Sequence, residues 1–412
     1  MPTTLIPHLT PEQDLLRQEA DAFAAEEIAP RVADMEHKPH QVERDIPRLL
    51  ADRRWFGVTI PEAFGGMDAG HVAKTILIHR LATVSGAAAA ILQAGLIPVA
   101  ALVHFATDEQ KAYWLPPAAE GAVLLTIAVT EPETGGHIGG MKTIAERDGD
   151  EWVITGSKLH IGNSHIAHLH VVIARTAAEG TKRPTESLTA FLVEHDRKGL
   201  TVKPHRAGLG LHGFTRGRLD FAGVRVPDTH RLGEVGQGMA VAKSSSILCG
   251  LPNLTAISLG LHETVLLLTT RYLKERPRYG GALFDLPVLR DRLGEMEARF
   301  RTAHSLAYQA VGQLDEGLPC DSDLVNAKYM GHELAARSGR DAMELHGARG
   351  LDSDYPLERL WRDIQHTYPP AGTGEFQRIR LSQGALGEST PQWSQLLRRA
   401  DPVRLRADPT PA

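Results

Sequence analysis

The sequence predicts an α+β chain in three successive regions: an N-terminal helical domain, a middle β domain and a C-terminal four-helix bundle. Two changes of periodicity carry this reading. Apolar residues recur at helical spacing up to about residue 121, give way to short β-type runs up to about 237, and return to long helical patterns up to about 396. A chain of 412 residues also exceeds one ordinary core, which fits division into domains. The expected boundaries are 1–121, 122–237 and 238–396, followed by a tail, 397–412, rich in Arg, Asp and Pro and expected to be disordered.

In the first region, Thr10-Pro11-Glu12-Gln13 reads as a helix start: a hydroxyl cap, proline in the first turn, then an acidic residue. Leu15, Leu16, Ala20, Phe23 and Ile28 follow at roughly helical spacing. Pro61 to Gly66 breaks the pattern as a loop, and Thr107-Asp108-Glu109-Gln110 opens another helix. Gly86 to Val103 is the most apolar stretch. Gln93 and Pro98 interrupt it, and a membrane span needs about 20 apolar residues, so it reads as a buried core helix.

The middle region holds β-type runs at Val123 to Val129, Trp152 to Ile154, Leu169 to Ala174 and Leu188 to Val193. Asp148-Gly149-Asp150 between two such runs signals a hairpin. In the third region Thr255 to Lys274 and Pro287 to Asp315 are the clearest helices, and short connections suggest an antiparallel bundle.

A formal net charge of −5 points to no nucleic-acid partner. Two cysteines, Cys249 and Cys320, make neither a disulfide framework nor a Cys-rich metal site, and a reducing cytoplasm is expected. The first residues, Met1 to Pro7, show no basic segment followed by an apolar one, so no signal peptide is expected. His160, His165, His168 and His170 invite a metal reading, with His168 and His170 on one strand face. No cysteine or carboxylate joins them at ligand spacing, and no metal is expected.

Several motifs in order resemble the acyl-CoA dehydrogenase family. Pro61-Glu62-Ala63-Phe64-Gly65-Gly66 is similar to its Pro-Glu-x-x-Gly-Gly loop, and Thr130-Glu131-Pro132-Glu133-Thr134-Gly135-Gly136 to its Thr-Glu-Pro-x-x-Gly-Ser-Asp motif. Leu232 to Gly238 resembles the end of its β domain, and Glu275-Arg276-Pro277-Arg278-Tyr279-Gly280 its Glu-Arg-x-x-Phe-Gly loop. Leu345 to Gly350, Tyr355 to Asp363 and Ala371-Gly372-Thr373-Gly374-Glu375-Phe376-Gln377-Arg378 resemble its last bundle segments.

The resemblance implies FAD between the β domain and the bundle, reaching a neighbouring subunit of a homodimer or homotetramer. It implies cofactor contacts at Thr130, Gly135, Gly136, His160, Gly162, Arg276, Tyr279, Glu344, Gly347, Thr373 and Glu375. Clustered backbone N–H groups at Gly135 and Gly136 suit a pyrophosphate, and Thr130 offers a hydroxyl to the flavin. His160 stands where the family has a tryptophan against the flavin, and Gly162 where it has a threonine near flavin N5. Both bear on electron transfer to a partner flavoprotein.

The family base is a glutamate before the Gly-Thr pair, and here that position is Ala371. Its backbone N–H remains as an oxyanion donor. In some members the base lies in the first bundle helix, at the position that falls on Gly250 here; Leu251 replaces the arginine that usually follows it near the pantetheine arm. Glu375, His366, Tyr368 and His160 remain as substitutes. The resemblance thus implies an FAD enzyme acting on an acyl thioester, CoA- or carrier-protein-bound, in specialised natural-product metabolism and with a non-standard base. Redox-neutral α-carbanion chemistry, flavin monooxygenation and a non-catalytic flavin-binding role are the alternatives.

Overall fold

The computed structural model describes residues 9–176, 186–278, 280–388 and 392–396. Tyr279 and the tail 397–412 lie outside the described residues. The N-terminal helices are α1 (Pro11–Phe23), α2 (Ala29–His37), α3 (Asp45–Asp52), α4 (Gly70–Ala82), α5 (Gly86–Phe105) and α6 (Asp108–Ala119). Both expected starts carry a full capping box: Thr10 with Gln13 and Thr107 with Gln110 each exchange side-chain and backbone hydrogen bonds.

α5 is apolar on every side and buried almost throughout, packing on α4, on the later helix Leu251–Glu275 and on the first strand. Among the described residues one other helical run is long and apolar enough to span a membrane, Gly238–Glu275; it too is mostly buried, so both are core helices.

The middle of the chain folds into one eight-stranded sheet: β1 (Leu125–Ala128), β2 (Ile144–Asp148), β3 (Glu151–Gly162), β4 (Leu169–Arg175), β5 (Leu188–Glu194), β6 (Leu200–Val202), β7 (Arg216–Pro227) and β8 (Arg231–Leu232). The order is β6-β7-β3-β2-β4-β5-β8, with β1 parallel to β4. The hairpin at Asp148 closes as expected, Asp148 pairing with Glu151 and Gly149 taking φ 62°. β3 runs far beyond Trp152 to Ile154. Register shifts near Gly156 and His160 break its period-2 alternation, which is why local pattern caught only three residues.

The C-terminal helical domain comprises α7 (Gly238–Ser245), a π-helical turn (Ser246–Gly250), α8 (Leu251–Glu275), α9 (Pro287–Asp315), α10 (Asp321–His346), α11 (Leu357–Gln365) and α12 (Gly374–Ala385). α8, α9 and α10 pack mutually, and α4 and α5 pack against α8, so the N-terminal and C-terminal helices share one core. A second core joins Ile97 and Ala100 of α5 to Leu248, Cys249 and Leu251 and to Ala371. It is here that the segments carrying Gly250 and Ala371 meet.

Candidate active site

The cofactor-side loop follows β1. Glu131 holds it: its carboxylate accepts from Thr143 N at 3.0 Å and from Lys158 Nζ at 2.8 Å. Lys158 is fully buried and also donates to Val129 O at 3.0 Å. Burial pushes its ammonium down to about 8 against the pull of Glu131. Burial also opposes ionisation of Glu131, but Lys158 and the N–H donors outweigh it and keep the carboxyl below its usual range.

The loop then exposes Gly135 and Gly136, whose N–H groups have no backbone partner among the described residues. Thr134 Oγ1 beside them is buried and unpartnered. A Cβ at Gly136 would come within 2.4 Å of the Phe376 ring, so α12 lies close against this loop and a side chain there would have to displace that ring. Thr130 is half-buried and its carbonyl accepts from Leu159 N at 2.8 Å. Unpaired N–H groups, a free hydroxyl and an open glycine surface fit a pyrophosphate and the polar edge of a flavin.

His160 is exposed on the bulge of β3 with φ 59°, and burial and Arg216 both lower its pKa. Gly162 tells more. Its carbonyl accepts from Thr126 Oγ1 at 2.6 Å, and a Cβ there would lie 2.9 Å from Phe214 and 3.2 Å from Ala94 Cβ. Phe214 fills the volume that a side chain at 162 would need.

Of the remaining implied cofactor residues, Arg276 is exposed beside a cleft of about 410 Å³ lined also by Arg271, Tyr272 and Tyr355. Glu344 pairs with Arg292 at 2.8 Å and Arg340 at 3.3 Å. Gly347 ends α10 at φ 57°, and Thr373 caps α12. Near the histidines, His168 Nδ1 accepts from Leu124 N and His170 Nε2 lies 3.3 Å from His195 Nδ1. Among the described residues no group of three or more ligand-type side chains is placed to hold a metal.

The base-side loop is built on a second buried lysine. Lys328 of α10 donates to Tyr368 O and Gly372 O, both at 2.7 Å. Gln377, fully buried, donates to Ala371 O at 2.8 Å and Gly372 O at 3.0 Å. With its carbonyl so engaged and φ at 57°, Ala371 keeps an N–H with no backbone partner among the described residues. Burial, then Arg380, pushes Lys328 down to about 8.

Gly250 stands directly against this loop. A Cβ built on it would be 3.5 Å from Ala371 Cβ and 3.6 Å from Ser246 Oγ. The two positions that the family resemblance marks for a base thus converge, one from a helix and one from a loop. Pro252 has no N–H to offer Leu248 O, and Lys74 takes its place at 3.0 Å, fixing the π turn that carries Gly250. Leu251 is buried.

The substitute bases lie otherwise engaged. Glu375 is exposed, accepts from Tyr368 Oη at 2.7 Å and pairs with Arg378; the Tyr368 hydrogen bond leads in holding it down to about 2. His366 Nε2 accepts from Gly210 N at 2.8 Å, and burial brings it to about 4. Sequence reasoning missed Lys328, Lys158, Lys74 and Gln377. The available signal was a lysine set among apolar neighbours at a core-facing helical position, as at Lys74 between Ala73 and Ile76.

The acyl-CoA dehydrogenase N-terminal, middle and C-terminal domain families match residues 10–122, 126–224 and 236–386. An acyl-CoA dehydrogenase of Bacillus subtilis is 31% identical over 384 residues, 92% of this chain and 99% of the relative. The structure of butyryl-CoA dehydrogenase from Megasphaera elsdenii superposes with TM-score 0.88 at 28% identity, over 92% of this chain and 99% of that one. The prolyl acyl carrier protein oxidase AnaB shares the fold with TM-score 0.84 at 24% identity, over 92% and 100% of the two chains. With three domains matched in order along its length, this chain belongs to the acyl-CoA dehydrogenase family of FAD-dependent oxidoreductases, which act on CH–CH bonds.

Proposed function

We propose that this protein oxidises an acyl thioester at Cα–Cβ without a carboxylate at either family base position. The observation that carries this is the 3.5 Å approach of Ala371 Cβ to the Cβ position of Gly250. The two positions adjoin, and neither brings an acid. Bound FAD supplies the hydride acceptor. Thr130, Gly135, Gly136, His160, Gly162, Arg276, Tyr279, Glu344, Gly347 and Thr373 are the residues that would line or approach it.

The chain's own contribution is binding and polarisation. The Ala371 N–H, presented by Lys328 and Gln377, takes the thioester carbonyl oxygen and draws charge from the α-carbon. The α-proton then leaves to a non-standard base. Glu375 is a poor one, since a carboxylate held near 2 binds a proton weakly. The same geometry favours a second reading: an oxyanion donor without an adjacent carboxylate suits redox-neutral chemistry of an α-carbanion.

Leu251, in place of the arginine near the pantetheine arm, removes a charge that would favour CoA. A carrier-bound acyl group in natural-product metabolism fits that loss, and AnaB, which shares this fold, is a prolyl acyl carrier protein oxidase. The reading also expects a homodimer or homotetramer and, as electron acceptor, an electron-transfer flavoprotein.

Anaerobic titration of the FAD-loaded protein with acyl thioesters tests the proposal. Bleaching of the flavin with formation of the enoyl thioester is the expected result. Thioester turnover without bleaching selects the redox-neutral reading, and bleaching only by NAD(P)H with a reductase selects monooxygenation. A folded protein that takes up no FAD contradicts all three.

A further inference from the structure

α5 runs between the strand that carries Gly162 and the helix that follows Gly250. Its Ala94 Cβ lies 3.2 Å from where a Cβ at Gly162 would stand, and the carbonyl of the preceding Gln93 accepts from Asn253 Nδ2 at 3.3 Å. Asn253 comes three residues after Gly250, on the same helical face, and Gly250 in turn faces Ala371. Gln93 and Asn253 therefore lie about one turn along α8 from the contact between the two base positions.

Both carry an amide oxygen that is buried and unpartnered, Gln93 Oε1 and Asn253 Oδ1, on residues 7% and 0% exposed. Such oxygens are costly unless something donates to them. The Asn253 amide is oriented by its own bond to the Gln93 carbonyl, so its free end is an acceptor. The Gln93 side chain makes no hydrogen bond among the described residues. Neither amide carries a charge, so a cationic ligand group buried against them would find no countercharge in the pair, which disfavours it.

We infer that the acyl group taken by this enzyme carries an uncharged hydrogen-bond donor, a hydroxyl or amide N–H, read by Asn253 and Gln93. Three residues, about 4.5 Å of helix rise, separate Asn253 from Gly250, which places the donor on the order of four bonds beyond the α-carbon. This rests on the acyl-thioester reading above and specifies its substrate class.

The test compares 5-hydroxypentanoyl and hexanoyl pantetheine thioesters, which differ only in hydroxyl for methyl at that distance. Dissociation constants are read from the perturbed flavin absorbance of the FAD-loaded protein. Tenfold tighter binding of the hydroxyacyl thioester is expected, reversed in Asn253→Leu and reduced in Gln93→Leu. The wild-type comparison decides the matter even where a variant fails to fold. Equal or tighter binding of hexanoyl, or binding of neither, overturns the inference. Product analysis separates it from the reaction: tight hydroxyacyl binding without enoyl product contradicts only the dehydrogenation reading.

Discussion

Two loops converge on the site, each held by a buried lysine, and they differ in what the lysine meets. Lys158 ties the cofactor-side loop by an ion pair with Glu131 at 2.8 Å. Lys328 ties the base-side loop through two carbonyl oxygens and pairs with no carboxylate among the described residues. Burial pushes both ammonium groups down to about 8, but only the first charge is neutralised locally. The difference teaches where positive potential is spent. On the cofactor side it is used up in holding the loop. On the base side it stays available behind the Ala371 N–H, where, on the function proposed above, negative charge would develop on a thioester oxygen.

Lys328→Met should therefore hurt chemistry most. Flavin reduction by thioester is expected to fall about 1,000-fold, the scale of an oxyanion-hole loss, with FAD content unchanged. An equal loss of FAD would show that the two loops are not separable. Lys158→Met should act on the opposite side, leaving the Glu131 carboxylate unpaired. Unfolding in urea is expected to show a loss of about 3 kcal/mol, with weakened FAD retention.

The pH dependence sharpens the contrast. Lys328 is a cation below about 8 and neutral above it, so flavin reduction should decline through a limb near pH 8, approaching tenfold per unit. Lys328→Arg should move that limb upward. Stability runs the other way. Between about 8 and the ordinary 10.5 the unfolded chain binds more protons at this group than the folded one, so its contribution to stability rises with pH. The smallest effect is expected at Gly250→Ala. Gly250 has helical angles, φ −57° and ψ −50°, and an added Cβ meets only ordinary contacts. A gain of about 1 kcal/mol in thermal unfolding is expected, with the reaction unchanged.

The fold was legible because its signals are local: the caps at Thr10 and Thr107, the turn at Gly149 and the apolar run of α5 each act within a few residues. For the candidate site, motif and geometry coincide at Gly135 and Gly136, which lie on an exposed loop with N–H groups that have no backbone partner among the described residues. The meeting of Gly250 with Ala371 joins residues 121 positions apart, and no periodicity encodes it. Nor did sequence reveal that Phe214 fills the space beside Gly162, since that contact depends on how β3 and β7 pair.

The claim that the two base positions adjoin and lack an acid is tested most directly by α-proton exchange. A saturated acyl thioester that binds the FAD-loaded protein is incubated in D2O, and deuterium at Cα is followed by NMR for wild type, Ala371→Glu and Gly250→Glu. Exchange is expected to rise about 100-fold or more in either variant, because a carboxylate from either position reaches the same proton. Wild-type exchange as fast as in the variants, or no gain in folded, FAD-loaded variants, would contradict the account.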